Sequence, residues 1–299
     1  MKAIFTGIAL LVAATGFGAG VVAPGAKLEK LADGFKFTEG PTCDAHGNLF
    51  FTDQPNNRIL EWSADGKLVT FLQPAGRANG LMFDAQGNLI ACAEAKNELW
   101  SIAPDKAVTV LATNFSDKTL NGPNDLWVAP GGALYFTDPF YKRSWGDTNA
   151  ARVTGENVYF LSADRKTLRC AATDFKKPNG ITGTPDGKKL FVADIRGDKT
   201  WRYDILPDGA LTNKTLFCEK GSDGMTLDAE GNLYLCATGP TNGVSIFDPA
   251  GKLIDHIDVP ARWSANVSFG GADRRTLFIT AGESLYRIRL RVPGANPAK

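Results

Sequence analysis

The chain runs to 299 residues, with 33 basic against 32 acidic side chains and a formal net charge of +1. So even a balance gives no electropositive face of the kind that nucleic acid or an anionic membrane selects, and neither is expected as a partner. Of the two histidines, His46 falls in a predicted turn and His256 on a predicted outer strand, which leaves none for a central zinc site and disfavours a Ser-His-Asp mechanism.

Residues 1–26 read as a secretory leader: Lys2 precedes an apolar run from Ala3 to Ala14, and the small residues after it suit a signal peptidase. Gly16, Gly20 and Ala26 are alternative cleavage points, and export would place the protein in the periplasm or outside the cell. The run is too short and too rich in glycine for a spanning anchor, and no later stretch approaches that length. KLEKLA, residues 27–32, is strand-like but belongs to no repeat.

From there the segments DAHGNLFFTD, DAQGNLIACAE, APGGALYFTDP, TPDGKKLFVAD, DAEGNLYLCAT and GADRRTLFITA are variants of one turn-and-strand unit. Their leading leucines, Leu49, Leu89, Leu134, Leu190, Leu233 and Leu277, are 40, 45, 56, 43 and 44 residues apart, the period of propeller blades. The second unit shows the plan: GLMFD, NLIACA, ELWSIA and VTVLA are four short strands joined by hairpin turns. Between the third and fourth leucines an insertion from Pro139 to Gly155 carries Tyr141, Lys142, Arg143 and Trp145, and a connection of that length is usually functional. The sixth unit offers strands near 267–270, 276–280 and 284–290, and then only VPGANPAK remains. The sequence therefore predicts an all-β, six-bladed propeller in a single domain over residues 27–299, in which the strand at 27–32 completes the last blade and closes the ring. Cys92 and Cys236 share a strand register and read as core residues; Cys170 and Cys218 lie on neighbouring outer strands, where a bridge is conceivable, and five cysteines leave at least one unpaired.

Glu39, Asn79, Asn124, Asn179, Asp223 and Asn266 stand 10, 10, 10, 11, 10 and 11 residues ahead of those leucines. In a closed meander they all open inner strands, so they form one ring of oxygen-bearing side chains at one mouth. Asp53, Asp138 and Asp194 fall near the same mouth, whereas Asp44, Asp84 and Asp228 sit in turns on the opposite face and read as structural. Buried oxygens without partners cost on the order of 1–3 kcal/mol each, and buried charges more. A divalent cation would remove that penalty, with Glu39 and Asp223 neutralising its charge. Calcium fits an all-oxygen shell, and magnesium or manganese are acceptable alternatives. Glu39 has no local backbone reason to be where it is. For Asn79 an Asn-Gly turn is the favoured reading, and Asn266 reads as a structural hydrogen-bonder.

At these residues the sequence resembles the SMP-30/gluconolactonase/LRE family of six-bladed propellers, through EGP at 39–41, ND at 124–125, TDPFY at 137–141, PNGI at 178–181 and SDGM at 222–225. The likeness spans essentially all of the chain after the leader. It implies one divalent metal, zinc included among the candidates, held by Glu39, Asn179 and Asp223, with Asn124 completing the shell or touching substrate and Asp223 doubling as proton acceptor and donor. It also implies a small-molecule lactone as substrate, with phosphotriesters acted on by some members. Members resembling regucalcin carry a substrate-contacting Arg where this chain has Gly122, and Arg143 or Arg196 near the mouth are substitutes for it.

The expected chemistry is metal-assisted opening of a cyclic ester, with Asp223 taking a proton from water and returning it to the ring oxygen. Asp125 would orient water or hold a neighbour of the metal, and Tyr141 would contact substrate. The competing expectations are a non-catalytic, metal-stabilised binding propeller and a phosphotriester hydrolase at the same ring. The sequence sets no oligomeric state.

Overall fold

Alternating and apolar runs become antiparallel strands throughout the computed structural model, which describes residues 20–145, 152–237 and 242–295. Twenty-four of these strands form six four-stranded sheets. Blade one comprises Thr38–Cys43, Leu49–Asp53, Arg58–Trp62 and Leu68–Leu72, and blade two Ala78–Phe83, Leu89–Ala93, Glu98–Ile102 and Val108–Ala112. Blade three is built from Leu126–Val128, Leu134–Asp138, Asn157–Leu161 and Leu168–Ala172; blade four from Pro178–Gly183, Lys189–Asp194, Lys199–Ile205 and Leu211–Cys218. Blade five has Met225–Leu227, Leu233–Ala237, Gly243–Phe247 and Leu253–Asp258, and blade six Ser264–Gly270, Thr276–Ala281 and Ser284–Arg289. The first strand of each blade packs on the first strand of the next, and blade one on blade six, which makes a six-bladed propeller about one axis.

Burial follows position in the blade. The strands Leu49–Asp53, Leu89–Ala93, Leu134–Asp138 and Leu233–Ala237 are buried at every residue, because sheets cover both of their faces. The core therefore lies between blades: Ile90, Cys92 and Leu99 of blade two meet Leu134, Phe136 and Tyr159 of blade three in one such layer. Blades are held at the opposite face by a repeated turn. Asp44 Oδ1 accepts from the His46 and Asn48 amides while Asn48 Nδ2 donates to Asp44 Oδ2 at 2.8 Å. Asp84 and Asp228 do the same in their own turns, which is the structural role expected of them.

Closure is as the sequence predicts. Glu29–Asp33 pairs antiparallel with Ser284–Arg289, Glu29 opposite Arg287 and Asp33 opposite Ser284, and supplies the fourth strand of blade six. The packed chain extends further back than residue 27: Val21 is buried among residues of blades five and six, and Val22 bridges to Leu290. The apolar run of the expected leader lies outside the described residues. At the other terminus Gly294 bridges to Asp228 and the Ala295 amide donates to the Leu227 carbonyl at 2.9 Å, tying the tail to blade five.

All five cysteines are free, Cys92 and Cys236 being fully buried as expected. The Cys170–Cys218 bridge does not form. Cys170 packs in the layer between blades two and three and Cys218 in the layer between blades four and five, so blades three and four separate them.

Candidate functional site

Three local devices carry the ring residues to the axis. The first is a carboxylate at the end of a second strand that grips the chain entering the inner strand of its own blade. Asp53 Oδ1 accepts from the Lys36 and Phe37 amides at 3.0 and 3.3 Å, Asp138 from Asn121 and Gly122 at 2.9 and 2.7 Å, and Asp194 from Lys176 and Lys177 at 2.9 and 2.8 Å. Each grip falls just ahead of a ring residue, Glu39, Asn124 or Asn179. These aspartates are therefore hooks, each engaged by backbone amides. The second device is a threonine hydroxyl reaching the next blade: Thr52 donates to the Asn79 carbonyl at 3.1 Å and Thr137 to the Asn179 carbonyl at 2.8 Å.

The third device is glycine at close approach. A Cβ on Gly80 would lie 2.5 Å from Asp125 Oδ1, one on Gly180 2.6 Å from the Asp223 carbonyl, and one on Gly224 within 2.1 Å of Asn266 Oδ1. None of the three has a positive φ, so glycine is required there by the crowding of inner strands at the axis. This corrects the reading of Asn79: it lies inside the strand Ala78–Phe83, and Asn79-Gly80 is no turn.

All six ring side chains are buried, together with Asp125. Glu39 Oε2 accepts from the Gly40 amide at 2.8 Å. Asp223 Oδ2 accepts from Trp263 Nε1 at 2.6 Å, and Asn179 Nδ2 donates to the Tyr141 hydroxyl at 2.9 Å. Asn266 Oδ1 takes the Val267 amide and its Nδ2 faces Asp125 Oδ2 at 3.4 Å, so its amide is occupied structurally. Asp125 comes from blade three and Asn266 from the opposite blade six, so this contact spans the axis.

Burial pushes Glu39 well above the usual carboxylate range, and the charges of Asp223 and then Asp125 add to the rise. Asp223 is pushed up to about 6, again by burial, against the Trp263 and Asn179 hydrogen bonds and the Arg143 charge that draw it down. Asp125 is raised by burial to about 7. Three acidic side chains thus share one dry axis, and the charges of Asp223 and Asp125 act against that of Glu39, the condition a cation relieves. Among the described residues no group of three or more His, Cys, Asp or Glu gathers as a metal cluster. An ion here would rest on two carboxylates completed by the amide oxygens of Asn179 and Asn124, hard donors that suit a hard divalent cation.

Beside the ring lies a cavity of about 370 Å³ whose walls include Glu94, Asn97, Asn121, Gly122, Arg152 and the insertion residues Phe140, Tyr141, Arg143 and Trp145. Glu39 and Asp223 do not line it; Tyr141 is the wall shared with Asn179. Arg143 closes a bidentate pair on Glu94, both contacts at 2.8 Å, and lies over the Tyr141 ring at 4.9 Å. On the other flank Lys177 pairs with Glu156 at 2.9 Å and lies over the same ring at 4.4 Å. The insertion is thus pinned to blades two and four. Gly122 donates to Asp138 Oδ1 with φ of 150°, and a Cβ there would come within 3.6 Å of Glu94 Cγ, so Arg143 reaches Glu94 where a side chain at 122 would point.

Of the residues singled out in the sequence, the ring, Asp125, Tyr141 and Arg143 come together. Arg196 does not: it is exposed in the turn between Asp194 and Lys199 and lies off the cavity wall. Sequence reasoning missed Glu94 and Trp263. Glu94 follows Ala93, which occupies the register of Asp53, Asp138 and Asp194, and a displaced acid at that position was its signal. Trp263 has none, since it reaches Asp223 from 40 residues away.

These features define a class: a six-bladed propeller with an axial ring of oxygen donors, opening beside a pocket capped by an inserted loop. Residues 37–283 match the model of the SMP-30/gluconolactonase/LRE-like region, and the chain belongs to that family. It is 30 % identical over 297 residues to a gluconolactonase of Zymomonas mobilis, an alignment covering 89 % of this chain and 82 % of the relative. A gluconolactonase structure from Xanthomonas campestris superposes with a TM-score of 0.83 at 31 % identity, covering 90 % of this chain and 91 % of that one. A calcium-binding regucalcin from Agrobacterium tumefaciens, at 20 % identity, a TM-score of 0.75 and coverage of 90 % and 95 %, shares the fold.

Proposed function

We propose that the protein is an exported, metal-dependent lactonase acting on a sugar lactone or related cyclic ester. The observation that carries this reading is the convergence of Glu39 and Asp223 from blades one and five on one buried site, each carboxylate raised by burial, and Glu39 further by the charge of Asp223. Gluconolactonase relatives aligned over most of both chains support the substrate class. Lys2 and the apolar run after it support export to the periplasm or beyond.

Glu39, Asn179 and Asp223, with Asn124 beside them, are the residues that would hold the cation. Calcium is the first candidate, and magnesium, manganese or zinc are alternatives. Bound there, a divalent cation supplies Lewis-acid polarisation of the ester carbonyl. The chain's own residues do the rest. Asp223, raised by burial to about 6 before any cation binds, is ionised at neutral pH and is the carboxylate that takes a proton from the attacking water. As the acyl–oxygen bond of the ring breaks, the same carboxyl returns that proton to the departing oxygen, and the product is a hydroxy acid. Glu94 accepts and Arg143 donates along one cavity wall, a pairing suited to ring hydroxyls. Arg143 in this way takes over from the arginine that Gly122 lacks.

The test is a panel of aldonolactones and aliphatic lactones assayed with calcium, magnesium, manganese or zinc. The parent is expected to open at least one class of lactone, and Asp223→Asn to lose roughly 10²–10⁴-fold in kcat. Glu39→Ala is expected to lose cation binding and activity together. Absence of turnover with every cation, or parent-like turnover by Asp223→Asn, sinks the reading.

A further inference from the structure

We propose that Trp263 is the positioning residue of Asp223, a donor that fixes which carboxylate oxygen faces the cation and water. This rests on the metal-dependent reading above. Trp263 lies on the connection from the outer strand of blade five, Leu253–Asp258, to the inner strand of blade six, Ser264–Gly270. That connection is held tightly. Asn242 Nδ2 donates to the Val259 and Ala261 carbonyls at 2.9 and 2.5 Å, and its Oδ1 accepts from the Ser264 amide at 2.7 Å. The indole is therefore delivered from a braced segment, and its Nε1 meets Asp223 Oδ2 at 2.6 Å.

An indole nitrogen donates and never accepts, so the Asp223 oxygen it meets must be an acceptor that carries no proton of its own. Tyr141, whose hydroxyl takes the Asn179 amide at 2.9 Å, lacks that selectivity, because a phenol can also donate. With Oδ2 held by Trp263, Oδ1 is the oxygen of Asp223 left for the cation and the reacting water. The side chain is 37 % exposed, so burial of the ring in the core does not explain its placement.

Trp263→Phe deletes the N–H and keeps a ring, and Tb³⁺ serves as the probe, with Ca²⁺ as competitor. The experiment uses the Trp145→Phe background, so that the indole in the cavity does not contribute. Calorimetry of Ca²⁺ binding is expected to show a loss of about 10–100-fold on adding Trp263→Phe, the usual effect of removing a group that orients a ligand. Tryptophan-sensitised Tb³⁺ emission should be strong with Trp263 present, be displaced by Ca²⁺, and largely vanish at saturating Tb³⁺ in Trp263→Phe. A purely structural role would lower the melting temperature of Trp263→Phe while leaving its Ca²⁺ affinity unchanged, so the affinity decides the role and the emission reports only that the indole lies close to the ion. If Trp263→Phe fails to fold, the Trp145→Phe protein decides alone: absence of sensitised emission from a bound Tb³⁺ overturns the proposal. Cation binding with undiminished affinity in Trp263→Phe, whatever its emission, overturns the role of Trp263 and leaves the lactonase reading standing. No cation binding by the parent overturns both.

Discussion

Asp223 stands apart because one of its oxygens, Oδ2, takes the Trp263 indole N–H at 2.6 Å, and because burial lifts it to about 6. A carboxyl raised in the folded state binds more protons than in the unfolded chain between its ordinary value and its folded one. Its contribution to stability is therefore present at low pH and lost as pH rises through about 6. A cation reverses the sign, since it binds the ionised form and competes with the proton. Melting curves of the metal-free protein are expected to show this site opposing stability as pH rises from about 4 to about 7, with added calcium raising the melting temperature most at the upper end. Calcium affinity measured by calorimetry should weaken as pH falls through about 6; a pH-independent affinity would remove Asp223 from the ligand set.

The strand ends and connections decide where those side chains stand. Asp194 closes on the Lys176 and Lys177 amides and on the Gly197 amide at 2.9 Å, fixing the approach to Asn179. Asp194→Ala is expected to destabilise the protein by on the order of 1–3 kcal/mol for each donor left buried and unmet, read by denaturant unfolding. The inserted loop is fastened by another pair: Arg143 on Glu94, with side-chain exposures of 27 % and 4 %. Removing Arg143 unpins the loop and removes a cavity donor, and although it also withdraws a charge that draws Asp223 down, it deletes no side chain of the ring. Arg143→Ala should therefore raise KM for a lactone substrate by more than it lowers kcat, and an effect confined to kcat would contradict its place on the cavity wall.

Over the whole molecule, closure is made by the two ends of the chain on the same blades. Glu29–Asp33 completes blade six, and Val21 fills a space between blades five and six. Burying a valine contributes roughly 1.5–3 kcal/mol, so the packing disfavours removal of everything through Ala26. If the protein is exported as proposed, the expected result is an N-terminus ahead of Val21, read by intact mass. A truncation beginning at Lys27 should melt several degrees lower. A mature chain starting at Lys27 with full stability would contradict this.

The period of the leucines, the alternating runs and the missing last strand were sufficient for a six-bladed propeller closed by the N-terminal strand. These signals are local, since a strand facing two sheets must be apolar and a turn needs its Asp, Gly and Asn in order. The offset of ten or eleven residues before each leucine likewise placed Glu39, Asn179 and Asp223 on one ring, because register along a meander is set by counting residues. What counting could not reach was decided by approach in three dimensions. Gly80, Gly180 and Gly224 answer to backbones meeting at the axis and not to turns, and Asp53, Asp138 and Asp194 are taken up by amides of their own blades. Arg143, and not Arg196, reaches the cavity because only the inserted loop folds back over blade two. Trp263 meets Asp223 only when blades five and six stand side by side, and a contact made by closing a ring has no spacing in the chain to announce it.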